Sequence, residues 1–203
     1  MIARNLPPGA AGNQGTLPGP KRRVGQKRII SRAGLATALA VLAALFVTAA
    51  CSRPPADDAA RKARVYELFA QYKKDFPNAP EVSAEDAVSL WRQGKLLPID
   101  VREPTERAVS TLPGAVTAEE YLADPGRFGD KRPVAYCTIG YRSGQWAEAK
   151  AREGLPVANM AAGLLGWLHA GGTLVDAKGE PTKTVNVYGR TWDLAPKGYI
   201  GVW

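Results

Sequence analysis

A mainly parallel sheet covered by helices on both faces, an α/β fold, is the class the sequence predicts, and three observations predict it. Short apolar runs at 96–102, 133–137 and 156–160 read as buried strands. The last two bracket a helical stretch at 143–153, so strands alternate with helices. Helical apolar stripes precede the first strand. Right-handed crossovers in such a sheet bring the strand ends and their following loops to one rim, where ligands sit.

The chain has 203 residues and a formal charge of +8, and that charge is unevenly placed. Eight basic residues and no acidic one precede Pro54; from there onward nineteen basic residues balance nineteen acidic ones. The part that can fold is therefore neutral, which argues against a nucleic-acid partner. Two cysteines, Cys51 and Cys137, exclude a disulfide-framed miniprotein.

Residues 1–32 form a polar and then basic region, rich in Gly, Pro and Asn up to residue 20 and basic from Lys21 to Arg32. Residues 33–50 carry no charge. This is the layout of an export signal, with an apolar run near the lower limit for spanning a bilayer. Positive charge ahead of the run predicts that the chain beyond it is carried across the membrane. Thr48, Ala49, Ala50 and Cys51 resemble the box at which bacterial lipoproteins are cleaved, with Thr48 where a large aliphatic residue is usual, so Cys51 is a candidate for lipidation. Three outcomes stay open: a lipoprotein, an uncleaved membrane anchor, or a soluble secreted product. The expected location is the periplasmic side of the cell envelope, with membrane contact through the N-terminal segment or its lipid.

Residues 51–60 read as a tether, and 61–203 as one domain, too short for two ordinary hydrophobic cores. Val65, Leu68, Phe69 and Tyr72 recur at i, i+3, i+4 and i+7 and predict a helix over 61–75, ended by Phe76 and Pro77. Ser83 followed by Asp86 resembles a capping box and opens a second helix through Val88 and Trp91 that stops at Gly94. Leu96 to Arg102 is the first strand, Pro133 to Cys137 the second, and Pro156 to Met160 the third. The helix from Ser143 to Glu153 is closed by Gly154, and a short helix covers Leu164 to His169, where His169 is expected to act as a C-terminal cation or cap. The segment 173–203 is expected to be irregular or hairpin-like, with a short strand around Val185 and Val187; its aromatics, Tyr188, Trp192, Tyr199 and Trp203, fasten it to the domain by default, and lining the active-site mouth is the alternative.

One constellation carries chemistry. Cys137, Thr138, Ile139, Gly140, Tyr141, Arg142 and Ser143 come directly after an apolar strand and lead into an amphipathic helix. Gly140 lets the backbone curl so that successive amides point inward, and the helix start adds unpaired N–H groups and a positive dipole end. The result is an anion cradle beside a thiol. Arg142 at a helix start opposes the dipole unless it shares an anion with the backbone. The alternative is a buried structural cysteine before a glycine turn; the coincidence of strand end, cysteine, glycine, arginine and helix start within seven residues favours function.

The strand carrying Asp100, Val101 and Arg102, the Leu112 to Ala115 turn, the loop from Tyr136 to Ser143, and Gly163 before Trp167 resemble, in order, the landmarks of the rhodanese-like sulfurtransferases. The resemblance covers about residues 82–172. It implies a three-layer α/β/α rhodanese-like domain in which Cys137 takes a sulfane sulfur as a persulfide and passes it to a thiol or cyanide acceptor, a protein thiol among the options. Cys137 and Arg142 are then catalytic. Thr138, Ile139, Gly140, Tyr141, Ser143 and Arg102 would bind substrate, and Asp100 would pair with Arg102 as structural support. The implied donor is a small anionic sulfur compound such as thiosulfate, or a persulfide. Ser110 and Thr111 stand where the family often has histidine, and Ala162 replaces the first of a glycine pair. Ala162 matters if its backbone must take a positive φ.

No cofactor is expected: one histidine and one thiol in the folding part make no closed zinc site, and neither a dinucleotide fingerprint nor a phosphate-gripping loop is present. Two rival readings are a cysteine phosphatase and a non-catalytic module of the cell envelope that binds a sulfur anion or a protein. Four residues separate Cys137 from Arg142, one fewer than in phosphatases of that kind, and a tighter ring fits sulfur better than phosphate.

Overall fold

A computed structural model of the chain describes residues 57–203. The export segment, Cys51 and the tether up to residue 56 lie outside the described residues. The first helix, α1, spans Asp58–Tyr72, three residues longer at its start than its apolar stripe indicates, because Asp57 caps it through a 2.8 Å bond from the Ala60 amide. The expected tether is shorter by those three residues. A 3-10 turn at Lys73–Asp75 ends it.

The chain continues through β1 (Glu81–Val82), α2 (Ala84–Arg92), β2 (Leu96–Asp100), α3 (Pro104–Val109), β3 (Val116–Thr117), α4 (Ala118–Ala123), β4 (Arg132–Tyr136), α5 (Tyr141–Arg152), β5 (Ala158–Met160) and α6 (Gly163–His169). Ser83 caps α2 at the Asp86 amide, and Gly94 comes after the helix in the left-handed region, as its position predicts. The five strands form one sheet in the order β1-β5-β4-β2-β3, and every neighbouring pair is parallel.

Alternation along the strands builds two cores. Leu96, Val134, Tyr136, Ala158 and Met160 pack on one face with Val65, Leu68 and Phe69 of α1, Val88 of α2, and Leu164, Leu165 and Trp167 of α6. Leu97, Ile99 and Ala135 pack on the other with Tyr121 of α4 and Trp146 of α5. The architecture is a three-layer α/β/α sandwich with β4 in the middle of the sheet.

The tail adds an antiparallel pair, β6 (Leu174–Val175) with β7 (Pro181–Thr182), and a parallel pair, β8 (Thr184–Asn186) with β9 (Ile200–Val202). It is part of the core: Val185, Val187, Leu194 and Ala195 are all buried. Arg61 donates to the Ala195 carbonyl at 2.8 Å, and the Lys197 amide donates to Asp58, so the tail closes on α1. His169 Nε2 donates to the Leu194 carbonyl at 2.8 Å. Burial first of all pulls the His169 pKa below its ordinary value, so this residue is a neutral tail fastener and not the helix-end cation that its position suggests. Among the described residues, no helix is long and apolar enough to cross a membrane.

Candidate functional site

Cys137 comes directly after the central strand, at the rim where the loops after β2, β4 and β5 converge. The helix after it opens earlier than its pattern indicates, at Tyr141, with Gly140 as the preceding residue at φ +85°. A side chain at Gly140 would meet the Phe69 ring at 2.8 Å and the Met160 carbonyl at 3.2 Å, so this turn requires glycine on both counts. The first helical bond runs from the Gly144 amide to the Gly140 carbonyl, which leaves the amides of Tyr141, Arg142 and Ser143 as first-turn donors with no helical acceptor. Among the described residues, no carbonyl accepts from the amides of Thr138, Ile139 or Gly140 either.

Buried polar contacts set the loop from behind. Ser143 Oγ bonds Asn159 Oδ1 at 2.7 Å, and Asn159 Nδ2 donates to the Gly140 carbonyl at 3.1 Å. The Ser143 side chain is fully buried in this brace, and its amide stays among the first-turn donors. Gly163 lies so close beneath the loop that a methyl there would stand 2.4 Å from the Cys137 carbonyl oxygen. The Leu164 amide donates to that same oxygen at 2.8 Å, so α6 fixes the base of the loop.

Asp100 and Arg102 form a second brace. Arg102 Nε and Nη2 bond the two Asp100 oxygens at 2.9 and 2.7 Å, Nη2 also reaches the Ser110 carbonyl, and Tyr136 Oη donates to Asp100 at 2.5 Å. The Leu112 amide donates to Tyr136 Oη. One network thus ties β2, the 110–112 segment and the residue just before Cys137. Burial works against the Arg102 charge, but the Asp100 bonds together with the surrounding negative groups outweigh it and hold the guanidinium firmly protonated. Tyr136 is pushed well up by its burial and by Asp100. Arg102 is 2% exposed and does not line the cavity; its pair with Asp100 is the structural brace, rather than a direct contact with an anionic donor, that the end of this strand offers.

The cavity is about 290 Å³ and is lined by Cys137, Thr138, Ile139, Tyr141 and Arg142 from the loop, with Tyr72, Tyr188 and Trp192 from other parts of the chain. Cys137 is at its floor and almost fully covered. Arg142 is held by Glu106, whose two carboxylate oxygens each take a guanidinium bond at 2.7 Å. Glu106 also accepts from the Glu103 amide as a capping residue of α3, and Thr138 Oγ1 lies 3.4 Å from it. Burial alone would raise the Glu106 carboxyl, but the Arg142 hydrogen bonds, the Glu103 amide and the charges of Arg142 and Arg102 together outweigh it and hold the group below the usual carboxylate range. Burial opposes the Arg142 charge in turn, and Glu106 together with the Cys137 sulfur it faces raises its pKa overall.

Sequence reasoning missed Glu106, and it preferred a fastening role for the tail aromatics over a place at the active-site mouth. Glu103, Pro104 and Glu106 carry a capping-box signal, which finds the helix but says nothing of a partner 36 residues away. Tyr188 and Trp192 sit at the mouth, not merely as fasteners: the Arg142 guanidinium lies 5.1 Å from the Tyr188 ring centre, and the Tyr188 and Trp192 rings are 5.0 Å apart.

No family model matches the chain, and no curated protein does. Solved structures do. A rhodanese-related protein from Thermoplasma volcanium is 22% identical over 47% of this chain and 97% of its own, with a TM-score of 0.39. A protein of unknown function from Rhodopseudomonas palustris, described as a possible tyrosine phosphatase, is 27% identical over 53% of this chain and 91% of its own, with a TM-score of 0.41. A human single-domain sulfurtransferase is 29% identical over 45% of this chain and 96% of its own, with a TM-score of 0.36. Among the solved structures this chain is similar to are thus rhodanese-like proteins, the family whose landmarks its own motifs resemble.

Proposed function

We propose that the protein is a sulfurtransferase that carries a sulfane sulfur on Cys137. The observation that supports this reading above all is a lone thiol on a cavity floor, facing Arg142 and succeeded by six amides that no carbonyl takes among the described residues. The Cys137 thiolate attacks the outer sulfur of a donor such as thiosulfate. The donor's S–S bond breaks, its electron pair leaves on sulfite, and a Cys137 persulfide anion remains. The amides from Thr138 to Ser143 stabilise that terminal sulfur as an oxyanion hole stabilises oxygen. An acceptor thiolate or cyanide then attacks the outer sulfur and releases the Cys137 thiolate, which gives ping-pong kinetics. Neither half needs a proton or an external redox partner.

The test is exposure to thiosulfate, alkylation and mass spectrometry of the peptide that holds Cys137. A mass increase of one sulfur is expected in the wild type and not in Cys137→Ser; an unmodified wild type overturns the reading. Hydrolysis of a phosphomonoester at a rate above that of sulfur transfer would favour the phosphatase alternative. We also propose that the domain works on the periplasmic side of the cell envelope, on the grounds of the basic and apolar N-terminal pattern; mass spectrometry of the native N-terminus, with or without lipid on Cys51, checks it.

A further inference from the structure

The Cys137 cavity has an unusual balance for a small dianion. Among the described residues, Arg142 is the only cation lining it, and Glu106 already holds the Nη1–Nη2 edge of that guanidinium in a pair of 2.7 Å bonds. Tyr188 covers the same guanidinium with its ring, so a thiosulfate dianion at Cys137 meets a cation whose charge is already largely balanced and stays beside the Glu106 carboxylate that balances it. The remaining wall is aromatic: Tyr72, Tyr141, Tyr188 and Trp192. Tyr72 and Tyr141 meet edge to face with ring centres 5.3 Å apart. A cavity of about 290 Å³ also exceeds what an inorganic sulfur anion fills.

Tyr188 keeps its place against backbone preference. Its φ is +66°, a region that a bulky side chain rarely takes, and an Asn186 side chain bonds its amide at 2.8 Å to fix the turn. Strain of this sort, next to a cavity, points to a side chain held for what it touches.

We infer that the site selects a sulfane-sulfur donor with an aromatic or similarly flat apolar body and at most one negative charge, with Glu106 and Tyr188 setting that selectivity. This rests on the sulfur-transfer reading above. The reaction is balanced as before: the Cys137 thiolate takes the terminal sulfur of a thiosulfonate anion, the bond between the two sulfurs breaks, and the electron pair leaves on a sulfinate. The apolar body lies against the rings, and the sulfonyl oxygens lie toward Arg142. Glu106 acts through Arg142 and is a positioning residue, whereas Tyr188 touches the donor.

The experiment compares benzenethiosulfonate, methanethiosulfonate and thiosulfate as donors to the full chain with cyanide as acceptor. Each rate is divided by that of the same donor with free cysteine, which removes differences in intrinsic reactivity. Benzenethiosulfonate is expected to exceed methanethiosulfonate by about tenfold in normalised kcat/KM, the effect of one or two well-placed ring contacts. Tyr188→Ala should reduce that ratio by about threefold or more, mostly through KM. Glu106→Gln, which keeps the shape of the side chain and its capping bond, should raise kcat/KM for thiosulfate about tenfold while moving benzenethiosulfonate much less. Equal normalised rates for the three donors in wild type, or a ratio unmoved in both variants, overturns the selectivity and leaves sulfur transfer standing. No Cys137 persulfide with any donor overturns sulfur transfer itself.

Discussion

Single residues decide how well this loop is held. Ala162 stands in the left-handed region at φ +58°, fully buried, immediately before the residue that supports Cys137. A methyl tolerates that conformation at a cost of about 1–2 kcal/mol, and a β-branched side chain does not. Ala162→Val should therefore lower unfolding free energy by about 2–4 kcal/mol in urea titration, combining backbone strain with overpacking; a change below about 0.5 kcal/mol would count against the strain. The need for positive φ is visible in the sequence as a replaced glycine, and Gly140 is legible as the point where the backbone curls; the close approach at Gly140 and Gly163 shows only in the fold. Glu106 is not legible. Its capping role is local and has a pattern, but its pairing with Arg142 exists only once the segments after β2 and β4 stand side by side.

Elements are legible from periodicity, and the differences lie where periodicity is silent. The first turn of α1 is Asp58, Ala59 and Ala60, with no apolar stripe to count, and α5 begins two residues early because a left-handed glycine, not a side-chain cap, starts it. Three strands, β2, β4 and β5, fall within a residue or two of their apolar runs, whereas β1 and β3, two residues each, are too short to leave such a run. One helix end carries a pH effect. His169 is the chain's one histidine, and its pKa in the folded state lies below the ordinary 6.5. Below 6.5 the unfolded chain binds a proton that the folded one resists, so stability falls as pH drops through that value and is restored as pH rises. The urea midpoint should be lower at about pH 5.5 than at about pH 7.5, and His169→Gln should flatten that difference. An unchanged slope in the variant would assign the effect elsewhere.

For the molecule as a whole, the tail is structure and not appendage, which composition could not show because Gly-rich, aromatic sequence reads as loop. Val185, Val187 and Leu194 are each at most 3% exposed. Burying three such side chains contributes about 5–9 kcal/mol, comparable with the entire stability of an ordinary domain. A chain lacking residues 183–203 should thus fail to unfold cooperatively, as monitored by circular dichroism; a sharp transition within about 5 °C of the full chain would refute this. The sheet and the thiol loop are legible because each is encoded within a few consecutive residues. The mouth is legible only in part: Tyr141 and the tail aromatics are candidates for it, but which rings meet there depends on α1, α5 and the tail coming together. That division has a temporal side. The Val187 amide bonds the Val202 carbonyl, so the turn bearing Tyr188 is set only when β9 has paired with β8. A ribosome adds about 5–20 residues each second, so the nucleophile emerges roughly 3–13 seconds ahead of the strand that seats its aromatic cover. Newly made chains therefore pass through an interval in which the thiol is already out and the turn that covers it has yet to form.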